Sequence, residues 1–149
     1  MRKVTVIDVP DPRILCVDSD RRTTNWIKDV LRNARTTTSV TAVRTGREAF
    51  AMLMRREFDL CILDYALPDM TGPQLCGLMR HAGCEIPTVI FTAMDRPVDR
   101  RRSIECGVDA FLVKPDDLGI FHSTIVRLLD RRRPILLPDS KLVGLSRAA

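Results

Sequence analysis

Aromatic residues make up only 5% of this 149-residue chain, with a single Trp and a single Tyr. With so few aromatics and no nucleic-acid motif, the formal charge of +5 reads as a solvated surface, and no direct nucleic-acid binding is expected. Histidine is scarcer still: His81 and His122 lack partners at metal-ligand spacing. The five cysteines (Cys16, Cys61, Cys76, Cys84, Cys106) are odd in number, form no C-x-x-C pair and fall mostly inside apolar segments. They fit small buried hydrophobes in a reducing, cytoplasmic setting rather than a disulfide framework. Long apolar runs are missing too. The opening "MRKVTVIDVPDP" is interrupted by Asp8 and Pro10, too short for a signal or a membrane span, so no membrane partner is expected.

What is present, 45% hydrophobic and 29% charged residues, suits one globular domain with a substantial core. Periodicity divides it regularly. "RILCV" (13–17) is a continuous apolar run, and 20–34 follows with Trp26, Ile27, Val30 and Leu31 on one helical face. The β-branched stretch 36–43 precedes a helical stripe of Ala49, Phe50, Leu53 and Met54 within 46–56. "DLCIL" (59–63) leads through a loop to a helix over 73–81 opened by Pro73; "PTVIFTA" (87–93) leads to one over 97–106, capped by Gly107. "DAFLV" (109–113) precedes a last helix, 117–131, with Leu118, Phe121, Ile125 and Leu128 as its apolar stripe. Trp26, Met52, Met54 and Met79 read as core or helix-face residues. Five apolar strands alternating with amphipathic helices predict an α/β fold, a doubly wound three-layer parallel sheet. The domain spans 13–132, between an N-terminal extension (1–12) and a C-terminal tail or linker start (133–149).

In such a sheet, function gathers beyond the carboxyl ends of the strands. Asp18, Ser19 and Asp20 follow the first strand, Asp64 the third, Thr92 the fourth, and Lys114-Pro115 the fifth. Each has an ordinary structural use: Asp18 and Asp20 as helix caps, Thr92 as a turn hydroxyl, Lys114 as a surface charge. Together at one edge they make a different object. Clustered carboxylates repel unless a hard cation or an ammonium neutralises them, and a lysine and a hydroxyl beside them suit a phosphoryl group.

The segments "ILCVDSD", "DLCILDYALPDMTG", "PTVIFTA" and "DAFLVKP", in this order and spacing, resemble the receiver domain of bacterial two-component response regulators over about residues 13 to 131. The resemblance implies a flavodoxin-like sheet in the order 2-1-3-4-5. It implies that Asp64 accepts a phosphoryl group from a sensor histidine kinase or histidine phosphotransfer protein, the chain catalysing only its own phosphorylation and dephosphorylation and being no enzyme otherwise. It further implies Mg²⁺ as cofactor, held by Asp18, Asp64 and the backbone carbonyl of Ala66. Lys114 is then to pair with Asp64 and later the phosphate, and the Thr92 hydroxyl to turn toward a phosphate oxygen as Phe111 packs inward. The Lys114-Pro115 bond is to be cis. Output is to pass through helix 4, strand 5 and helix 5, flanked by the arginine runs 100–102 and 131–133, to an effector protein or a second copy of the chain.

One position departs from the family. Where it usually has a second acid that binds the metal directly, this chain has Ser19, a neutral and poorer ligand. Either Ser19 or Asp20 supplies the remaining contact, and Asp20 reads first as a cap for the following helix. Two alternatives follow: a degenerate receiver that acts as a constitutive protein-interaction module, and a haloacid-dehalogenase-type phosphatase with Asp18 as nucleophile. The second requires D-x-D-x-T, and Thr23 falls one place late.

Overall fold

The structure, a computed structural model, describes residues 10–33 and 38–131. Strands β1 (Arg13–Val17), β2 (Ser39–Val43), β3 (Leu60–Leu63), β4 (Thr88–Thr92) and β5 (Ala110–Val113) form one sheet in the order β2-β1-β3-β4-β5. All four pairings are parallel, as continuous apolar strands require. Helices α1 (Arg21–Asn33), α2 (Gly46–Leu53), α3 (Gly72–His81), α4 (Pro97–Glu105) and α5 (Leu118–Asp130) alternate with them. The predicted tail 133–149, residues 1–9 of the extension, positions 36–37 of the second predicted strand and Arg132–Arg133 lie outside the described residues.

The two-residue side-chain period of a strand sorts the core into two layers. Ile14 and Cys16 of β1, Leu60 and Ile62 of β3, and Val89 and Phe91 of β4 pack with Ile27 and Leu31 of α1 and Phe121, Ile125 and Leu128 of α5. The alternate residues Leu15, Val17, Cys61, Leu63 and Ile90 pack with Ala49 and Leu53 of α2 and Leu75, Cys76 and Met79 of α3. Burial of each large aliphatic contributes about 1.5–3 kcal/mol, which fixes the register against a one-residue slip.

The helix ends explain most differences from the predicted boundaries. α2 stops at Leu53 rather than Arg56 because Arg56 takes a left-handed φ of 60° that no helix continues through. α3 begins with a capping box, Thr71 Oγ1 accepting from Gln74 N while Gln74 returns a side-chain bond to Thr71 N, with Pro73 in the first turn. Gly107, at φ 92°, follows the end of α4 as predicted. Leu118 does not join the apolar stripe of α5. It is the first residue of the helix, ahead of the turns that reach the sheet, and remains 39% exposed.

Candidate functional site

The register brings the acids together. Val17 lies beside Leu63, and the ladder runs one residue further: Asp64 N–H donates to Val17 O at 2.9 Å and Asp18 N–H to Val43 O at 3.1 Å. Asp18 therefore continues the alternation of Ile14 and Cys16, and Asp64 that of Leu60 and Ile62. At the other end of the pocket Lys114 N–H donates to Thr92 O at 2.7 Å, and the Lys114-Pro115 bond is cis, as expected.

Asp18 is 4% exposed, so its charge must be answered locally. Its Oδ1 accepts the Asp20 N–H at 2.8 Å and its Oδ2 faces Lys114 Nζ at 3.3 Å. The ammonium also donates to Thr23 Oγ1 at 3.2 Å and sits 5.0 Å from the Phe91 ring centroid. Phe91 in turn stacks on Trp26 at 5.6 Å and meets Phe121 at 4.7 Å. The direct partner of Lys114 is thus Asp18, not Asp64 as the resemblance implied. Lys114 follows Leu112 on the α1/α5 side of the sheet, above Phe91, where its stem packs against apolar surface and its head reaches Asp18.

Asp64 is half-buried, and its Oδ1 accepts the Tyr65 N–H at 2.8 Å. Burial, and then the neighbouring Asp18 charge, push its carboxyl pKa up; Lys114, the Thr92 hydroxyl and the Tyr65 N–H oppose the rise. Thr92 is 1% exposed, and its Oγ1 accepts the Met94 N–H at 3.2 Å, which fixes the hydroxyl at the strand end.

Beyond Asp64 the chain makes a narrow turn closed by an antiparallel bridge of Ala66 with Thr71. Its bonds belong to the flanking residues, Gly72 N to Tyr65 O (2.7 Å) and Leu67 N to Met70 O (3.0 Å), so the bridge does not use the exposed Ala66 carbonyl. Gly72 is required by close approach: a Cβ there would lie 2.5 Å from the Asp64 carbonyl oxygen and 2.8 Å from Ile90 Cδ1.

Asp69, the acidic residue of the same turn, is a contributor that the sequence did not reveal. Its two carboxylate oxygens accept Gly46 N–H (2.8 Å) and Arg47 N–H (2.9 Å), which ties the turn to the start of α2 and lowers its pKa, chiefly through the Gly46 bond. A second missed acid is Asp99. It is fully buried in α4, bonded by Arg96 at 2.7 and 3.1 Å, and held below the usual carboxylate range by Arg96 first, with the Tyr65 hydroxyl contributing. Asp69 has no local signature, because its partners lie 22 and 23 residues away, whereas the main partner of Asp99 is Arg96, an i,i+3 pairing that the sequence could have shown.

The exposed Asp20 is used as a cap, its Oδ1 accepting Arg22 N–H at 2.9 Å. Ser19 is half-buried, and its carbonyl accepts a bond from Arg44 Nη2 at 3.4 Å. Phe111 is partly buried at the strand edge, with the Arg100 guanidinium 5.0 Å from its ring centroid. As a seat for the divalent cation that the resemblance implies, the pocket offers oxygen donors only: the carboxylates of Asp18 and Asp64 and the carbonyl of Ala66, the hard ligands Mg²⁺ prefers. The residues fit Mg²⁺ with two acids. Among the described residues no group of three or more His, Cys, Asp or Glu is placed to hold a metal.

The family model described as "Response regulator receiver domain" matches residues 14–125. The chain is 36% identical over 120 residues to response regulator protein PmrA of Pseudomonas aeruginosa, covering 80% of this chain and 53% of that protein. It is 32% identical over 124 residues to response regulator MprA of Mycobacterium leprae, covering 82% and 53%. The chain therefore spans about half the length of these relatives. Among solved structures, the non-phosphorylated HemR receiver domain of Leptospira biflexa superposes with a TM-score of 0.73 at 30% identity, covering 83% of this chain and 98% of that one. A CheY-like receiver domain protein from Methanospirillum hungatei gives 0.74 at 25%, covering 82% and 96%. None of the described helices is long and apolar enough to cross a membrane.

Proposed function

Because the chain belongs to the response regulator receiver domain family, we propose that it takes a phosphoryl group onto Asp64 from a phosphohistidine of a sensor histidine kinase or histidine phosphotransfer protein. The observation that carries this reading is the convergence of Asp18, Asp64, Thr92 and Lys114 at one sheet edge, with the Lys114 ammonium already bound to one of the acids. In the transfer, one Asp64 oxygen forms the bond to phosphorus as the phosphorus–nitrogen bond breaks, and its electron pair returns to the imidazole. The Tyr65 N–H holds Oδ1, which leaves the other oxygen as the nucleophile. Burial beside Asp18 makes that carboxylate more basic than a free one and so a better nucleophile.

Positioning and charge neutralisation account for most of the catalysis of such transfers. Asp18, Asp64 and the Ala66 carbonyl would hold Mg²⁺, which when bound would supply positive charge to the phosphoryl oxygens. Lys114 exchanges its bond to Asp18 for one to the new phosphate, and the Thr92 hydroxyl turns from the Met94 N–H toward a phosphate oxygen. Loss of the Thr92 bond loosens the start of the β4–α4 loop, and Phe111, covered by Arg100 of α4, moves with it. The surface affected is that of α4, β5 and α5, where Val98, Ile104, Leu118 and Ile120 stand exposed for an effector or a second copy of the chain. No other reaction is assigned to the protein.

A constitutive, non-phosphorylated module is the second reading, favoured by one observation: Asp20 spends its carboxylate on capping α1 and so does not replace the missing acid at Ser19. The dehalogenase-type alternative finds no support in the family match. Incubation with Mg²⁺ and acetyl phosphate or a cognate kinase, borohydride trapping and peptide mapping separates all three. Label on Asp64, lost in Asp64→Asn, is the expected result; label on Asp18 supports the phosphatase, and no label at millimolar Mg²⁺ supports the module.

A further inference from the structure

A cleft of about 300 Å³ opens between α1 and the end of β2, lined by Asp18, Arg21, Asn25, Lys28 and Arg44 among others. Arg21, Asn25 and Lys28 stand at i, i+4 and i+7 of α1 and so form one stripe on the wall of the cleft. Arg44 closes it from the opposite side, where β2 ends. Among the described residues neither Arg21 nor Lys28 has an ion-pair partner, and Arg44 bonds only the neutral carbonyl of Ser19. The one carboxylate in the lining, Asp18, is already answered by Lys114 and by the Asp20 N–H. Three cations thus line a concavity whose single carboxylate, Asp18, is engaged elsewhere. Lys28 is half-buried in the wall of the cleft.

We infer that this cleft, which adjoins the phosphoacceptor pocket and shares Asp18 with it, is an anion site for a small molecule carrying a diphosphate group. The layout suits an anion with more than one phosphoryl group. Seven residues of helix separate the Arg21 and Lys28 backbones by about 10 Å along the axis, and from those positions their long side chains can hold two linked phosphates from opposite ends. Guanidinium groups at two corners offer paired donors to phosphate oxygens, and the Asn25 amide adds a neutral donor.

The test uses the full chain in Mg²⁺-free buffer containing EDTA, titrated with inorganic pyrophosphate and followed by amide shifts and calorimetry. Saturable binding is expected, with shifts centred on Arg21, Asn25, Lys28, Ala42 and Arg44 and unchanged in Asp64→Asn. Lys28→Gln and Arg44→Gln should each weaken it by about tenfold, the loss typical of one charge-assisted bond. Lys28→Arg should retain it, and circular dichroism of these surface variants confirms that they fold. Shifts centred on Asp64, Thr92 and Lys114, an equal response to sulfate at matched ionic strength, or wild-type affinity in the Lys28→Gln/Arg44→Gln double variant would each overturn the assignment.

Discussion

Replacing Lys114 with Met removes the ammonium while keeping most of the stem that packs over Phe91. Two unit charges 3.3 Å apart, as Lys114 Nζ and Asp18 Oδ2 are, attract by about 5 kcal/mol at an effective dielectric of about 20. That figure is not the loss to expect, because both groups gave up hydration to form the pair. The loss comes from what is left behind: Asp18, 4% exposed, with the half-buried Asp64 carboxylate beside it and no cation between them. Removing one partner of a buried pair costs about 3–5 kcal/mol, and the Lys114 side chain is 23% exposed, so about 2–4 kcal/mol is expected here. For a domain of this size that is a fall in Tm of roughly 8–16 °C.

Thermal and urea denaturation in EDTA measure the loss directly. Asp18→Asn keeps the Oδ1 acceptor for the Asp20 N–H, so the double variant Lys114→Met/Asp18→Asn should recover part of the stability, with a coupling energy of about 1–3 kcal/mol. Mg²⁺ should raise the Tm of Lys114→Met more than that of the wild type, since it supplies charge where the variant lacks it. A Lys114→Met protein within about 0.5 kcal/mol of wild type, or strict additivity in the double variant, refutes the view that this lysine is what makes the acid pair tolerable.

Three other outcomes are expected. Asp64→Asn should be more stable than wild type at neutral pH. The raised Asp64 pKa means that ionisation penalises the folded state, so the advantage grows as pH rises from the ordinary carboxylate value of 3.8 through the raised folded value and disappears below 3.8; Tm measured against pH for both proteins checks the sign. Gly72→Ala should lose about 1–3 kcal/mol and label more slowly, because its Cβ would press on the Asp64 carbonyl at 2.5 Å; an unchanged urea midpoint would contradict the close approach. Burial pushes the Cys16 thiol up to about 12 and Cys76 up to about 11, and raises Cys61 too, so a thiol reagent at pH 8 should modify the half-exposed Cys106 first, as mass spectrometry of the native protein can show.

Legibility in the sequence followed the range of the physics. Strand and helix periodicity is local, so Ile27, Leu31, Phe121 and Ile125 could be placed in the core from spacing alone, and parallel strands joined by helical crossovers then bring all five carboxyl ends to one edge. That is why Asp18, Asp64, Thr92 and Lys114 could be named before any contact was known. Which of them touch was a different matter. Lys114 meets Asp18 rather than Asp64 because of where Phe91 and Thr23 lie, and neither residue carries that information in its neighbours. Asp69 was missed for the same reason, being satisfied by backbone that the fold brings in, whereas Asp99 pairs with Arg96 at i,i+3 and only its burial and its Tyr65 contact depend on the fold. Ser19 is the instructive case. The sequence shows the acid that is lacking but not the arginine that arrives from β2, and Arg44 on the Ser19 carbonyl adds a positive charge on the side where a negative one is already missing. The electrostatic change relative to a pocket with two adjacent acids is therefore larger than a motif comparison counts. Restoring the acid with Ser19→Asp would place it beside Arg44, so the gain in Mg²⁺ affinity should be greater in Ser19→Asp/Arg44→Ala than in Ser19→Asp alone.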